Sequence, residues 1–424
     1  MVAFVVALSI IVAIHEYGHY IVGRWCGIKA EVFSLGFGPV LISKTDRYGT
    51  KWQIAALPFG GYVKFLGDAD AASASSDDVS EEVDPRTTMH GAPIWARSLT
   101  VLAGPVFNFV LTILIFAGVQ MNEGRSVVPL AYDGARVTLP NTPNDLQSGD
   151  VFVAVEGISF DSGNLGDQLP FEKSLIYTVL RGDEQLDVVG PYLMPPAVTG
   201  ITPRSAADDA GLRKGDVISG INGSDIFAFG EIIAAVENAD GGQLDLTVLR
   251  DDEVIDMTLA PRRVDLPNAQ GGFDTRWLIG ISGGFFFDDL RESIGPWEAT
   301  KNASRQLWFV MRSSVSGLWH MATGAISSCN LSGPVGIAQT SGTMAAQGGT
   351  SFIWFVGMLS AAVGLLNLFP VPILDGGHLV FHAYEAVFRK KPSHQVSNVL
   401  MMMGLTMILM LMSFAMLNDL VLCP

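Results

Sequence analysis

The sequence predicts a polytopic α-helical membrane protein of about four spans that carries two β-rich domains outside the bilayer. Hydrophobic residues make up 49% of the 424 and charged residues only 16%, whereas a soluble domain carries about 25% charged residues. Four stretches, about 1–24, 94–119, 351–371 and 399–422, stay apolar over the roughly 20 residues that a bilayer span requires. Between the second and third lies an acidic block. Residues 120–300 hold 12 Lys+Arg and 29 Asp+Glu, against a net charge of −16 for the whole chain.

The first apolar stretch lacks the basic n-region and small-residue cleavage site of a signal peptide, so a retained helix is expected. Residues 31–66 alternate apolar and polar side chains between glycines at 36, 38, 49, 60 and 61, which reads as β-strands and turns. Strands this close to membrane helices are tolerated only where protein or a water-filled cavity satisfies their backbone. Residues 69–92 are small, polar and acidic and read as a disordered loop. Cationic side chains cluster after the first span (Arg24 to Lys64) and between the last two (Arg389, Lys390, Lys391). Such residues are retained on the cytoplasmic side, which puts 25–93 and 372–398 inside and the acidic block in a periplasm-like space. The negative charge argues against a nucleic-acid partner, since phosphate binding needs clustered Lys and Arg. Cys26, Cys329 and Cys423 show no paired spacing, and free thiols are expected.

Inside the acidic block a unit repeats. Leu146-x-x-Gly149-Asp150-Val151 recurs as Leu212-x-x-Gly215-Asp216-Val217, and TVLRGDEQLD (178–187) recurs as TVLRDDEVID (247–256). A helix is expected at about Phe229–Asn238. The run from Ala210 to Gly223 resembles a PDZ domain of the type attached to bacterial proteases, and the first copy keeps the shorter Leu-x-x-Gly-Asp-Val pattern. The implied organisation is an N-terminal membrane half at 1–119, PDZ-like domains at 122–195 and 196–264, a linker with an amphipathic segment at 265–350, and a C-terminal membrane half at 351–424.

The chemistry starts at His15-Glu16-Tyr17-Gly18-His19. Two histidines four apart share one helix face and can share a metal, with the glutamate beside them as a base. Charged groups in a bilayer helix are costly, so their presence argues for function rather than packing. A catalytic zinc needs a third protein ligand and an open position. The soluble-enzyme arrangements are absent, and the remaining candidate is Asp375, in Asn367-x-x-Pro370-x-x-x-Leu374-Asp375-Gly376-Gly377-His378. Asp375 before Gly-Gly also suits a plain turn.

Together the two motifs resemble the site-2 protease family. SLGFGP (34–39), PFGGYVK (58–64), LAGPVFN (102–108) and LSGPVGIAQ (331–339) resemble its bacterial branch, whose tandem PDZ members regulate sigma factors. The resemblance implies an intramembrane zinc metalloendopeptidase of the inner membrane with one zinc per chain. It makes His15, His19 and Asp375 the ligands, Glu16 the general base and Asn367 a substrate contact. Gly36 and Gly38 become part of a membrane re-entrant β-hairpin that pairs with unwound substrate. Substrates would be single-pass membrane proteins of the anti-sigma-factor kind after a first cut, or remnant signal peptides, met within membrane lipid. Asn108, His378 and His382 are expected to be structural. The rival readings are a non-catalytic PDZ scaffold with a vestigial metal site, which has no need of Glu16, and a transporter, which the two external domains disfavour.

Overall fold

The computed structural model describes residues 1–67, 84–126, 130–137, 139, 142–160, 168–268 and 272–422. It divides into two compact units, Met1–Val119 with Pro296–Pro424, and Gln120–Gly295.

The first unit is helical, with one irregular sheet. Its helices are α1 (Val2–Trp25), α2 (Ile94–Glu123), α3 (Pro296–Ala322), α4 (Pro334–Ala346), α5 (Gly349–Asn367), α6 (Asp375–Phe388) and α7 (His394–Leu417). Among the described residues, four stretches are long and apolar enough to cross a membrane: Val2–Trp25, Ile94–Glu123, Gly349–Asn367 and Gln395–Leu422. They coincide with the four stretches expected, with shifts at the ends. The last helix starts earlier because the Ser393 hydroxyl caps it, accepting from the Val396 N–H. Its large apolar side chains, among them Met402, Met403, Met410 and Leu411, stay exposed, as a lipid-facing surface requires.

Small residues let the helices approach. A Cβ on Gly18 would lie 2.6 Å from the Ala103 carbonyl oxygen, and one on Gly364 would lie 3.1 Å from both Asn108 Cβ and the Pro105 carbonyl oxygen. Thus α1, α2 and α5 meet almost backbone to backbone.

The strands expected at 31–66 are β1 (Ala30–Thr45) and β2 (Lys51–Phe65). Each is folded in the middle. Leu35 faces both Gly61 and Ile54, while Ile42 also faces Ile54. The bends use residues whose backbone needs no Cβ: Gly36 and Gly38 take φ of 91° and 84°, and Gly60 takes 150°.

Of the loop expected to be disordered, 69–83 lies outside the described residues, and the rest is ordered. Pro85–Thr87 form a 3₁₀ turn capped by Asp84, and Met89 packs against the Ile28–Phe65–Ala92 cluster. The apolar Met89 and Ala92 anchor a stretch whose composition is otherwise polar. Cys329 is disulfide-bonded, contrary to the expected free thiol, whereas Cys26 is free. Sequence spacing gave no sign of the pairing because tertiary contacts bring its surroundings together. Asn418 Nδ2 donates to the Ser328 carbonyl at 2.9 Å, and Asp419 accepts from the Gly333 and Gly336 N–H groups at 3.1 and 2.8 Å.

The second unit contains two four-stranded sheets of equivalent order. One runs 158–159, 151–155, 174–181, 184–191; the other runs 224–225, 217–221, 244–250, 253–259. The repeated residues do the same job in each. Arg181 grips Asp150 through two bonds of 2.7 Å, and Arg250 grips Asp216 likewise. Each aspartate also accepts a backbone N–H three residues back. The helix at Phe229–Asn238 lies where the pattern expects it.

The two cores are interleaved along the chain. Ile279 and Ile281 belong with the second core, while Phe286 and Phe287 are buried in the first. Residues 281–282 pair with 200–201, and 287–289 pair with 132–135. The segment expected to be linker from 265 therefore completes both cores. Its ISGGFFF run looks like a loop in sequence because three adjacent Phe show no alternation.

Candidate metal centre

His15 and His19 project one turn apart from α1. Helix α2 passes so close that a Cβ on Gly104 would lie 2.3 Å from His19 Nε2 and 2.7 Å from His15 Cε1. The Thr100 carbonyl lies 2.8 Å from His19 Nδ1. That nitrogen donates, which leaves the Nε2 lone pair free for a metal. On the other ring, the Asn108 carboxamide nitrogen lies 3.2 Å from His15 Nδ1.

The third group arrives from the other end of the chain. Helix α5 ends at Asn367, the segment through Pro370 and Pro372 breaks the helical ladder, and α6 restarts with Asp375 in its first turn. A carboxylate there is favoured by the unpaired N–H groups of the helix end. Gly376 and Gly377 are needed for space: a Cβ would lie 2.3 Å from the Leu368 carbonyl oxygen at the first and 2.2 Å from that of Val371 at the second. The Gly-Gly pair tucks α6 against the preceding turn and aims Asp375 at α1.

The three ligand atoms face one point. His15 Nε2 and His19 Nε2 are 3.2 Å apart, and Asp375 Oδ2 lies 3.2 and 3.5 Å from them. A tetrahedral zinc with bonds of about 2.0–2.1 Å requires ligand atoms about 3.3–3.4 Å apart. Asp375 Oδ2 is also buried without a hydrogen bond, an expensive state that a cation relieves. The residues therefore fit the ion. Among the described residues this is the one cluster of three such groups able to hold a metal.

A cavity of about 490 Å³ opens beside the cluster, lined by Glu16, Tyr62, Val63 and Asn367 among others. The Val63 backbone hydrogen-bonds the Glu16 carboxylate. A Cβ on Gly61 would lie 3.3 Å from Glu16 Cγ, so β2 runs directly past that carboxylate. His378 and His382 line the cavity without joining the ligand cluster.

Gly36 and Gly38, expected at the substrate, do not line this cavity. They bend β1, and the strand beside the site is Gly61–Phe65 of β2. Arg97 and Glu385 were missed by sequence reasoning. They form a two-point ion pair of 3.0 and 2.9 Å between α2 and α6, and Arg97 Nε also donates to the Ala92 carbonyl. The only signal was the presence of charge near apolar helices. Their pairing across the length of the chain carried no pattern.

Two histidines on one membrane-length helix, a glutamate beside them and an aspartate at the start of the short helix α6 form a constellation suited to a zinc peptidase. Comparison with known proteins makes this specific. The model of peptidase family M50 matches residues 3–411. The "Putative zinc metalloprotease Atu1380" of Agrobacterium fabrum is 34% identical over 423 residues, covering 99% of this chain and 95% of that protein. The "Regulator of sigma-E protease RseP" of Salmonella typhimurium is 30% identical over 470 residues, covering 99% and 98%. The chain belongs to peptidase family M50, the site-2 protease family, and is a zinc metalloprotease.

Proposed function

We propose that this metalloprotease cuts single-pass membrane proteins within or beside their transmembrane segments in a bacterial inner membrane, with His15, His19 and Asp375 as zinc ligands. The observation that carries this reading is the ligand triangle, two of its corners on the membrane-length α1, with Glu16 lining the cavity beside it. Zinc held by these residues would supply Lewis-acid chemistry to a peptide carbonyl and an attacking water. Glu16 takes the proton of the attacking water and delivers it to the leaving amide nitrogen. Asn367, on the cavity wall, holds the substrate backbone. A helical substrate hides its peptide bonds in i→i−4 hydrogen bonds and must unwind before attack. The Gly61–Phe65 strand beside Glu16 offers replacement hydrogen bonds to the unwound chain.

The interleaved β-unit reads as a PDZ pair on the periplasmic side that excludes substrates with bulky outer domains. An anti-sigma-factor substrate, trimmed first by another protease, suits that arrangement, and the Salmonella relative is named for regulation of sigma-E. Remnant signal peptides suit it too. Labelling from outside in a Cys26→Ser background should reach Ser224→Cys and not Lys390→Cys, and the opposite pattern would reverse the topology.

The deciding experiment compares wild type with Glu16→Gln and Asp375→Ala in detergent. Glu16→Gln should keep about one zinc and lose cleavage of a model transmembrane substrate, because Gln cannot take the proton. Asp375→Ala should lose zinc. Undiminished zinc in Asp375→Ala, or Glu16→Gln activity within tenfold of wild type, would overturn the assignment.

A further inference from the structure

We infer that Asn108 is a positioning residue for the metal: with zinc on His15 Nε2, the Asn108 carboxamide oxygen accepts the His15 Nδ1 proton and fixes the ring's tautomer and direction. This rests on the reading of His15 as a ligand.

A neutral imidazole that presents its Nε2 lone pair to a metal carries its proton on Nδ1 and needs an acceptor there. For His19 that acceptor is the Thr100 carbonyl. For His15 the Nδ1 partner is the fully buried Asn108, with the amide nitrogen at 3.2 Å. An NH₂ group facing Nδ1 suits only the other tautomer, whose proton sits on Nε2 and blocks the metal. The amide oxygen meanwhile is buried without a partner. A half-turn about the amide's own axis exchanges the two ends with no other movement. Either orientation leaves one end unpartnered, so the His15 tautomer decides between them, and metal on Nε2 sets the tautomer.

The rest of Asn108 is fixed. Its carbonyl accepts the Ser360 and Thr112 hydroxyls, each at 3.0 Å, and its Cβ faces the bare backbone of Gly364. Helix α5 therefore clamps the residue, and only the amide rotation remains free.

The test measures zinc affinity of the full chain in detergent by competition with a chelator, beside thermal unfolding. Asn108→Leu keeps the shape but cannot accept a proton, and zinc binding should weaken by about 10–100-fold. Asn108→Asp accepts the same proton and should stay within about threefold of wild type, a rescue that a purely packing role would not give. Wild-type affinity in Asn108→Leu, or equal weakness in Asn108→Asp, would overturn the proposal. Should Asn108→Leu fail to fold, the Asp variant decides alone. His15→Ala separates the two readings: if it retains zinc, the ligand assignment itself is wrong.

Discussion

Replacing Gly104 by Ala adds one methyl group at the point where α2 touches both histidines. Within a helix this change ordinarily stabilises by about 0.8–1 kcal/mol. Here the new Cβ would lie 2.3 Å from His19 Nε2, 2.5 Å from His19 Cε1 and 2.7 Å from His15 Cε1, where ordinary contact begins at 3.4 Å. The rings would have to withdraw by about 1 Å, yet a metal site holds its distances to within about 0.2 Å. Overpacking of this kind costs about 1–3 kcal/mol, which equals or exceeds the helix gain and reverses its sign. Zinc affinity should fall at least 10-fold, the lower bound for disturbed ligand orientation. Gly118→Ala on the same helix is the control, since nothing lies within 4 Å of its Cβ. It should gain stability and leave zinc untouched. The assay is chelator competition for zinc together with thermal unfolding of the detergent-purified chain. A Gly104→Ala protein with zinc affinity within threefold of wild type would refute the packing argument and the ligand triangle drawn from it.

Three further outcomes follow from particular contacts. Arg97→Leu strands Glu385 in a half-dry site and should destabilise by about 3–5 kcal/mol; a double-mutant cycle with Glu385→Leu should recover part of the loss, and simple additivity would deny the coupling. The Arg181 guanidinium holds the buried Asp150 carboxyl below the usual carboxylate range. Its contribution is therefore present above about pH 3.9, the unfolded value, and fades as pH falls through the lowered folded value. Unfolding of wild type and Asp150→Asn should converge in acid, and a gap that widens on acidification would contradict this. For the size filter, excising 196–284 keeps Phe286 and Phe287 for the first core, so a trimmed substrate should still be cut and an untrimmed one newly accepted; a folded, zinc-loaded variant that cuts neither would show that the second core delivers substrate instead.

The sequence pointed to the cluster that the structure brings together because His15 and His19 are local and Asp375 stands out as an acid in apolar surroundings. Span number was equally legible, since length and hydropathy set it. Contacts across the chain were not. Nothing in the spacing announced that Asn108 meets His15, or that Arg97 meets Glu385, because helix packing decides both. The surroundings of Gly36 and Gly38 were hidden for a related reason. Glycine pattern marks a bend, but which strand then runs beside Glu16 depends on how β1 folds back on β2. The repeat at Asp150 and Asp216 was visible, while the return of the chain through Phe286 to the first core was hidden in a run of adjacent aromatics.

The proposed ligand set also bears on biosynthesis. Two histidines near the start of the chain offer an ion only two bonds, and the third donor is made near the end. A ribosome still working on the middle of this protein therefore holds an enzyme without a closed metal site. On the proposed assignment, competence to cut arrives only when α6 has docked beside α1, after the β-rich unit has been made.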